Sequence, residues 1–405
     1  MFFQKNSMFF QKEWMGMTRI GVICEYNPFH NGHARHLRMI REAYGEDCVI
    51  VCLMSGNFVQ RGDVAIFAKH DRAEAAIRCG ADLVLELPIS CALSSAEGFA
   101  AGGVELLDRL GCDVLSFGSE CGREAPLMHA AKLQLDPSFD RGIVEKLREG
   151  VSYPAARAAV LQSLGAENVL ADPNDILGVE YCKAMLRKDS RMKLLVVRRN
   201  GDYHSPRLDA AAPSASSLRA CMAQPEQWQN AVPDCLHRLY RTAERYSLAA
   251  GERAMLSRLR TLPDSSFASL PFGSEGLWSK LMKNCRSAAS VEEIITGTKS
   301  KRYARTRIQR MLFCAFLGLD EELMHSPPPY VRVLAFNVPG RAQLRPMRER
   351  FALLDSGECP QESAYAALER RSADLFSLFS EGPVVSGGAE ARLRNRYVPS
   401  AERMP

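Results

Sequence analysis

His30, Asn31, Gly32 and His33 read H-x-G-H, and they follow the run Ile20-Gly21-Val22-Ile23-Cys24-Glu25-Tyr26-Asn27-Pro28-Phe29. A glycine between two imidazoles lets the backbone come close to a phosphate. A helix starting at this point adds amide donors and the positive end of its dipole. The two imidazoles can then donate to phosphate oxygens as charge builds during attack on an α-phosphate with pyrophosphate leaving. The plain alternative is two surface histidines in a loop. The position between a strand and a helix favours the phosphate chemistry.

A second cluster, Ser214-Ala215-Ser216-Ser217-Leu218-Arg219, is a serine-rich turn entering a helix with an arginine about one turn in. It reads as another phosphate cradle, with Ser216 and Ser217 offering hydroxyls. The early and late motifs together are more specific than either alone and suggest two ends of a triphosphate clamp. Between them, Gly118 of Phe117-Gly118-Ser119-Glu120 offers bare backbone to an adenine or ribose. Asn174 opens a helix at Pro173-Asn174-Asp175, as a cap or as a nucleotide contact. Arg198 and Arg199 are anion candidates at a strand end. Lys69 and Arg72 lie one turn apart and either reach an anion or are solvated. The loop 55–62 carries two glycines, an asparagine and an arginine, and suits a substrate-facing turn.

The elements that must hold these residues alternate. Apolar runs at 19–24, 48–54, 82–87, 114–117 and 193–197 predict strands, with helices at 33–43, 69–78, 95–110 and 175–186. Alternation of this kind predicts an α/β fold with a parallel sheet, Rossmann-like, with ligands at the carboxyl ends of the strands. After about residue 222 helical periodicity dominates, at 226–249, 254–262, 275–287, 291–297 and 303–316, with one strand at 331–335. The expected division is a tail or start artefact at 1–16, a nucleotide-binding domain at 17–222 and a mostly α-helical domain at 223–405. The chain from about 381 is Gly-rich and polar and reads as loose.

Composition sets the outer limits. At 405 residues and 46% hydrophobic, the chain can bury a large core. A net charge of +5 is compatible with an RNA partner without requiring one. Thirteen cysteines without C-x-x-C spacing fit reduced thiols in a cytoplasmic protein and predict no metal site. No apolar stretch is long enough to span a bilayer. The densest basic run, from Lys299 through Lys301, Arg302, Arg305 and Arg307 to Arg310, contains a tyrosine and no carboxylate, which suits an RNA backbone.

The blocks Val22 to His33, Met54 to Gly62, Gly80 to Pro88, Phe117 to Glu120, Pro173 to Gly178, Lys301 to Tyr303 and Arg332 to Asn337 resemble the bacterial tRNA(Met) cytidine acetate ligases, over roughly 17–345. The resemblance implies an H-x-G-H nucleotidyltransferase fold. It implies a ligase that forms acetyl-adenylate from ATP and acetate, then acetylates N4 of the wobble cytidine of elongator tRNA(Met). ATP, with Mg²⁺, is then the co-substrate, and no obligate protein partner is implied. The ATP contacts implied are the Val22–Phe29 segment (Val22, Ile23, Cys24, Glu25, Tyr26, Asn27, Pro28, Phe29), His30, Asn31, Gly32, His33, Gly118, Asn174, and Arg198 or Arg199. This chain departs from the family pattern in Arg198-Arg199-Asn200-Gly201-Asp202-Tyr203-His204, which is one residue shorter between Gly201 and Tyr203, and it has Ser216-Ser217 where a threonine is expected. Two other readings compete: a small-molecule nucleotidyltransferase, and a non-catalytic ATP-sensing RNA-binding protein.

Overall fold

The computed structural model describes residues 16–167, 169–199, 213–300, 302–358, 360, 363–384 and 386–399. The tail at 1–15, the spacing between Asn200 and His204, and Lys301 therefore lie outside the described residues. The first five expected strands are present: β1 (Arg19–Cys24), β2 (Val49–Ser55), then, past a short hairpin of β3 (Phe58–Val59) and β4 (Asp63–Val64), β5 (Leu83–Leu87), β6 (Val114–Ser119) and β7 (Lys193–Arg198). β2 is buried at every position, because helices cover both faces of the sheet.

The sheet also takes in β8 (Val331–Phe336), β9 (Leu353–Leu354) and β10 (Arg396–Tyr397). Its order is β10-β8-β5-β2-β1-β6-β7, with β9 beside β8. The strands β5, β2, β1, β6 and β7 run parallel, and β8 is antiparallel to β5. The strand order reverses at β1, which lies between β2 and β6, so the loop after β1 opens at the switch point where such sheets bind ligands.

The helices around the site are α1 (Asn31–Tyr44), α2 (Lys69–Arg78), α3 (Ala96–Arg109), α4 (Pro173–Lys188) and α5 (Ala215–Cys221). Two apolar clusters pack on the sheet, one of them under α3 and α4 and the other under α1 and α2. A third sits within the later helices and receives Phe58, Val64 and Leu93 from the α/β half. Phe58 meets Phe313 at 5.6 Å and Phe376 at 5.9 Å.

Three expectations need correction. The helix expected at 226–249 is broken: Pro225–Trp228, two 3₁₀ turns and α6 (His237–Thr242) precede a new helix at Leu248–Thr261. Pro233 lacks an amide hydrogen and stands between the turns. The strand at 331 does not remain with the helices but crosses back into the sheet between β5 and β10, so the change of pattern near 222 is not a break in the sheet. The described segment 386–399 is not loose. Val398 is buried, β10 pairs with β8, and Arg396 bridges Asp71 at 2.7 Å. Glu390, only 2% exposed, pairs with Lys69 at 2.8 Å and Arg332 at 2.8 Å. Local composition could not reveal partners more than 50 residues away.

Candidate active site

The loop from β1 to α1 is held from several directions. Arg72, fully buried, donates to the carbonyls of Glu25 at 2.5 Å, Ser55 at 3.2 Å and Phe67 at 3.0 Å, and also to that of Gly56. The Ile66 amide donates to Asn27 Oδ1 at 2.8 Å, and the Tyr240 hydroxyl donates to the Phe29 carbonyl at 3.2 Å. Asn31 reaches back to the Asn230 carbonyl at 2.9 Å. Tyr26 adopts a left-handed φ of 46°, and the Asn27–Pro28 peptide is cis.

His30 is the N-cap of α1. Its Nδ1 accepts from the Gly32 amide at 3.0 Å, and His33 Nδ1 accepts from the His30 amide at 3.3 Å. Two imidazoles thus make the reciprocal cap that Ser and Glu make elsewhere. A ring nitrogen that accepts from an amide carries no hydrogen, so each neutral ring holds its proton on Nε2. Neither Nε2 has a protein partner among the described residues, and the rings stack with centroids 3.7 Å apart. A Cβ on Gly32 would come within 2.9 Å of the His30 ring, so this closure needs glycine.

A third histidine joins them, and the motif reading missed it. His36 lies one turn further along α1, 2.8 Å from Ser116 Oγ on β6, which itself donates to the Leu195 carbonyl at 3.1 Å. With the hydroxyl proton committed, His36 donates from Nε2. The signal was visible as H-x-x-H after His33, three residues being one helical turn. Burial holds His30 down at about 3 and His36 at about 4, with the charge of Arg199 adding to both. Burial also lowers His33 well below the ordinary imidazole range, helped by His30, Arg199 and His36. All three rings are neutral donors at pH 7.

The structure separates the two arginines. Arg199 lies across Gly118: a Cβ there would come within 3.0 Å of its Cγ, and its charge acts on all three histidines. Arg198 turns to Gly122, where a Cβ would come within 2.5 Å of its own Cβ. The late motif reaches the same place. Ser214 caps α5 by accepting from the Ser217 amide at 3.1 Å. Arg219 donates to the Asn27 carbonyl at 2.7 Å, joining α5 to the loop before H-x-G-H. Ser217 is buried and bonded back to the Ser214 carbonyl at 2.9 Å, which leaves Ser216 as the exposed hydroxyl. Asn174 donates to Glu120 at 2.5 Å, so the Pro173 and Phe117 blocks meet directly.

Other expected contacts take different roles. The side chains of Val22, Ile23 and Phe29 lie in the core, leaving only backbone toward a ligand. Burial raises the Glu25 carboxyl above its usual range, opposed by the Gln60 amide, which donates to it at 2.7 Å, and then by Arg219. Lys69 is neither solvated nor free for an anion, because it bridges Glu86 at 2.7 Å as well as Glu390. The loop 55–62 is a hairpin wedged against the later helices. Gly62, at φ +75°, lies against the backbone of Gln309 and Arg310, within 2.5 Å of where a Cβ would stand.

The basic run is largely committed to protein. Arg302 pairs with Glu275 at 2.6 Å, and Arg305 pairs with Glu292 at 2.5 Å. Arg307 donates to the Phe272 carbonyl at 2.6 Å. Arg310 is 8% exposed against the Phe272 ring, so it is not a surface phosphate contact; burial lowers its pKa to about 10. Lys299 is exposed. The carboxylates missing from the run arrive from elsewhere in the chain, Glu275 from a turn and Glu292 from the helix Val291–Thr298. Among the described residues no cluster of three His, Cys, Asp or Glu side chains is placed to hold a metal ion, and no helix is long and apolar enough to cross a membrane.

A switch-point loop carrying H-x-G-H, faced by an arginine just past the end of β7 and closed by a serine-capped helix, defines a nucleotidyltransferase of the H-x-G-H class, and the HIGH Nucleotidyl Transferase family matches residues 17–385. A tRNA(Met) cytidine acetate ligase of Acetivibrio thermocellus is 35% identical over 364 residues, covering 83% of this chain and 87% of the relative. That of Clostridium novyi is 37% identical over 401 residues, covering 91% and 99%. The solved structure of Thermotoga maritima TmcAL bound with alpha-thio ATP superposes with a TM-score of 0.84 at 27% identity, covering 95% of this chain and 100% of that one. This chain belongs to the tRNA(Met) cytidine acetate ligase family.

Proposed function

We propose that this chain binds ATP, activates acetate as acetyl-adenylate, and transfers the acetyl group to N4 of the wobble cytidine of elongator tRNA(Met). The observation that carries this reading is the 2.7 Å bond from Arg219 to the Asn27 carbonyl, which brings the late serine–arginine motif onto the H-x-G-H loop. The H-x-G-H loop, the end of β7 and the start of α5 then present His30, His33, Arg199 and Arg219 to a triphosphate.

In the first step an acetate oxygen attacks the α-phosphorus and the bond to pyrophosphate breaks. Acetate is ionised at pH 7 and needs no general base. The Nε2–H groups of His30 and His33 donate to phosphate oxygens, and Arg199 and Arg219 offset the charge that moves onto pyrophosphate. Ser216 supplies a further donor, and Gly118 with Asn174 lines the nucleoside side. A Mg²⁺ ion carried in by the triphosphate would supply further charge neutralisation at the phosphates, and among the described residues no cluster of His, Cys, Asp or Glu is placed to hold it without the nucleotide. In the second step the cytidine amine attacks the acetyl carbon, the bond to AMP breaks, and the amine loses a proton. An anticodon-loop base can be splayed out to reach the anhydride.

Residues 17–222 serve as the ATP-binding part and 223–405 as the tRNA-binding part, with Lys299, Arg302, Arg305 and Arg307 as candidate backbone contacts once their carboxylate and carbonyl partners yield. A cytoplasmic site of action follows from a tRNA substrate. The test is acetate-dependent ATP–pyrophosphate exchange by the purified protein, together with mass analysis of the wobble cytidine of tRNA(Met). Exchange with acetate and an acetylated cytidine are the expected results; exchange without acetate, or unmodified tRNA after exchange, removes the reading.

A further inference from the structure

Two cysteines 156 residues apart in sequence have their sulfur atoms 3.7 Å apart. Cys79 ends α2, the helix whose Arg72 holds the Glu25 and Ser55 carbonyls. Cys235 lies in the 3₁₀ turn Asp234–Leu236, directly before α6, whose Tyr240 holds the Phe29 carbonyl and stacks on Phe67 at 4.7 Å. The pair therefore sits where two supports of the H-x-G-H loop meet. Cys79 is 8% exposed, and Cys235 is partly open to solvent.

We propose that Cys79 and Cys235 are a modification site: a hydroperoxide converts them to a reversible disulfide that ties α2 to the turn before α6. The Cys235 thiolate attacks the peroxide oxygen, the O–O bond breaks, and Cys235 becomes a sulfenic acid as the peroxide is reduced. Cys79 then attacks the Cys235 sulfur, the S–O bond breaks, water leaves with the Cys79 proton, and the disulfide remains. The assignment of attacker and resolver follows from the surroundings. The hydrogen bond from Cys79, then the charge of Arg78, draws the Cys235 thiol below its usual range, whereas burial pushes Cys79 well above it. Burial raises the thiols of Cys24, Cys91, Cys112, Cys182, Cys285 and Cys314, which makes them poorer nucleophiles. Closure from 3.7 Å to a bonded separation of about 2.05 Å is a small movement for two side chains already in contact.

The full chain is treated with a stoichiometric excess of hydrogen peroxide, digested without reductant and mapped by mass spectrometry. The expected product is a peptide pair joined through Cys79 and Cys235, two hydrogens lighter than the free peptides and separated again by a thiol reductant. The oxidised protein should melt about 5 °C higher, because the bond closes a long loop in the unfolded chain. Cys235→Ser and, separately, Cys79→Ala should lose both the linked peptide and the peroxide-dependent rise. Oxidation of Cys235 to a sulfinic acid with Cys79 still free overturns the proposal, as does linkage of a different pair first. Neither readout depends on the reaction the enzyme performs.

Discussion

Replacing His36 with asparagine isolates one proton-linked contribution to stability. Burial first, and Arg199 second, hold this imidazole at about 4 in the folded protein, against 6.5 for an unperturbed histidine. A lowered folded pKa means that the unfolded chain takes up the proton first as pH falls. The neutral ring contributes nothing to the pH dependence above about 6.5, and stability is lost progressively between about pH 6.5 and pH 4. At about pH 5.5 the unfolded state has gained RT ln(1 + 10), about 1.4 kcal/mol, while the folded ring is still almost wholly neutral. Urea denaturation of wild type and His36→Asn at about pH 7.5 and pH 5.5 measures the difference. Asparagine keeps a donor for Ser116, so the bond between α1 and β6 can survive. The variant should lose about 1.4 kcal/mol less on acidification than wild type; the other histidines cancel in the comparison. An equal loss in both proteins would refute the reasoning, because His36 would then titrate alike folded and unfolded.

Arg199→Ala should raise the KM for ATP in pyrophosphate exchange by about tenfold or more, the worth of one charge-assisted contact, whereas Arg198→Ala should stay within about twofold. Equal effects would return the choice between them to where the sequence left it. Phe58→Ala empties the wedge between the hairpin and the later helices and should cost about 3–5 kcal/mol in denaturant titrations. Glu390→Gln leaves Lys69 and Arg332 buried with one anion fewer, and thermal unfolding should show a loss of about 3–5 kcal/mol; an unchanged melting curve would mean that Glu86 alone suffices.

Much of the α/β half was legible in the sequence because its information is local. A strand buried on both faces needs an unbroken apolar run, as at Val49–Ser55. A helix that starts on His30 needs a residue that can accept from an amide, and H-x-G-H supplies that acceptor and its glycine together. Those patterns span fewer than 15 residues, so they set the α/β class, the order of elements and the two motifs that Arg219 joins through the Asn27 carbonyl.

Contacts between distant segments decided the rest. Arg198 and Arg199 are neighbours in sequence, and only the packing on Gly118 and Gly122 tells them apart. The basic run near Arg305 contains no carboxylate of its own, yet Glu275 from a turn and Glu292 from another helix approach and occupy it. Lys69 reads as an anion contact or a solvated cation and the C-terminal segment as loose, yet Lys69 and Glu390 are buried against each other. Charge needs a partner to enter a low-dielectric interior. That partner can lie anywhere along the chain, so its identity belongs to the tertiary structure and not to the local pattern.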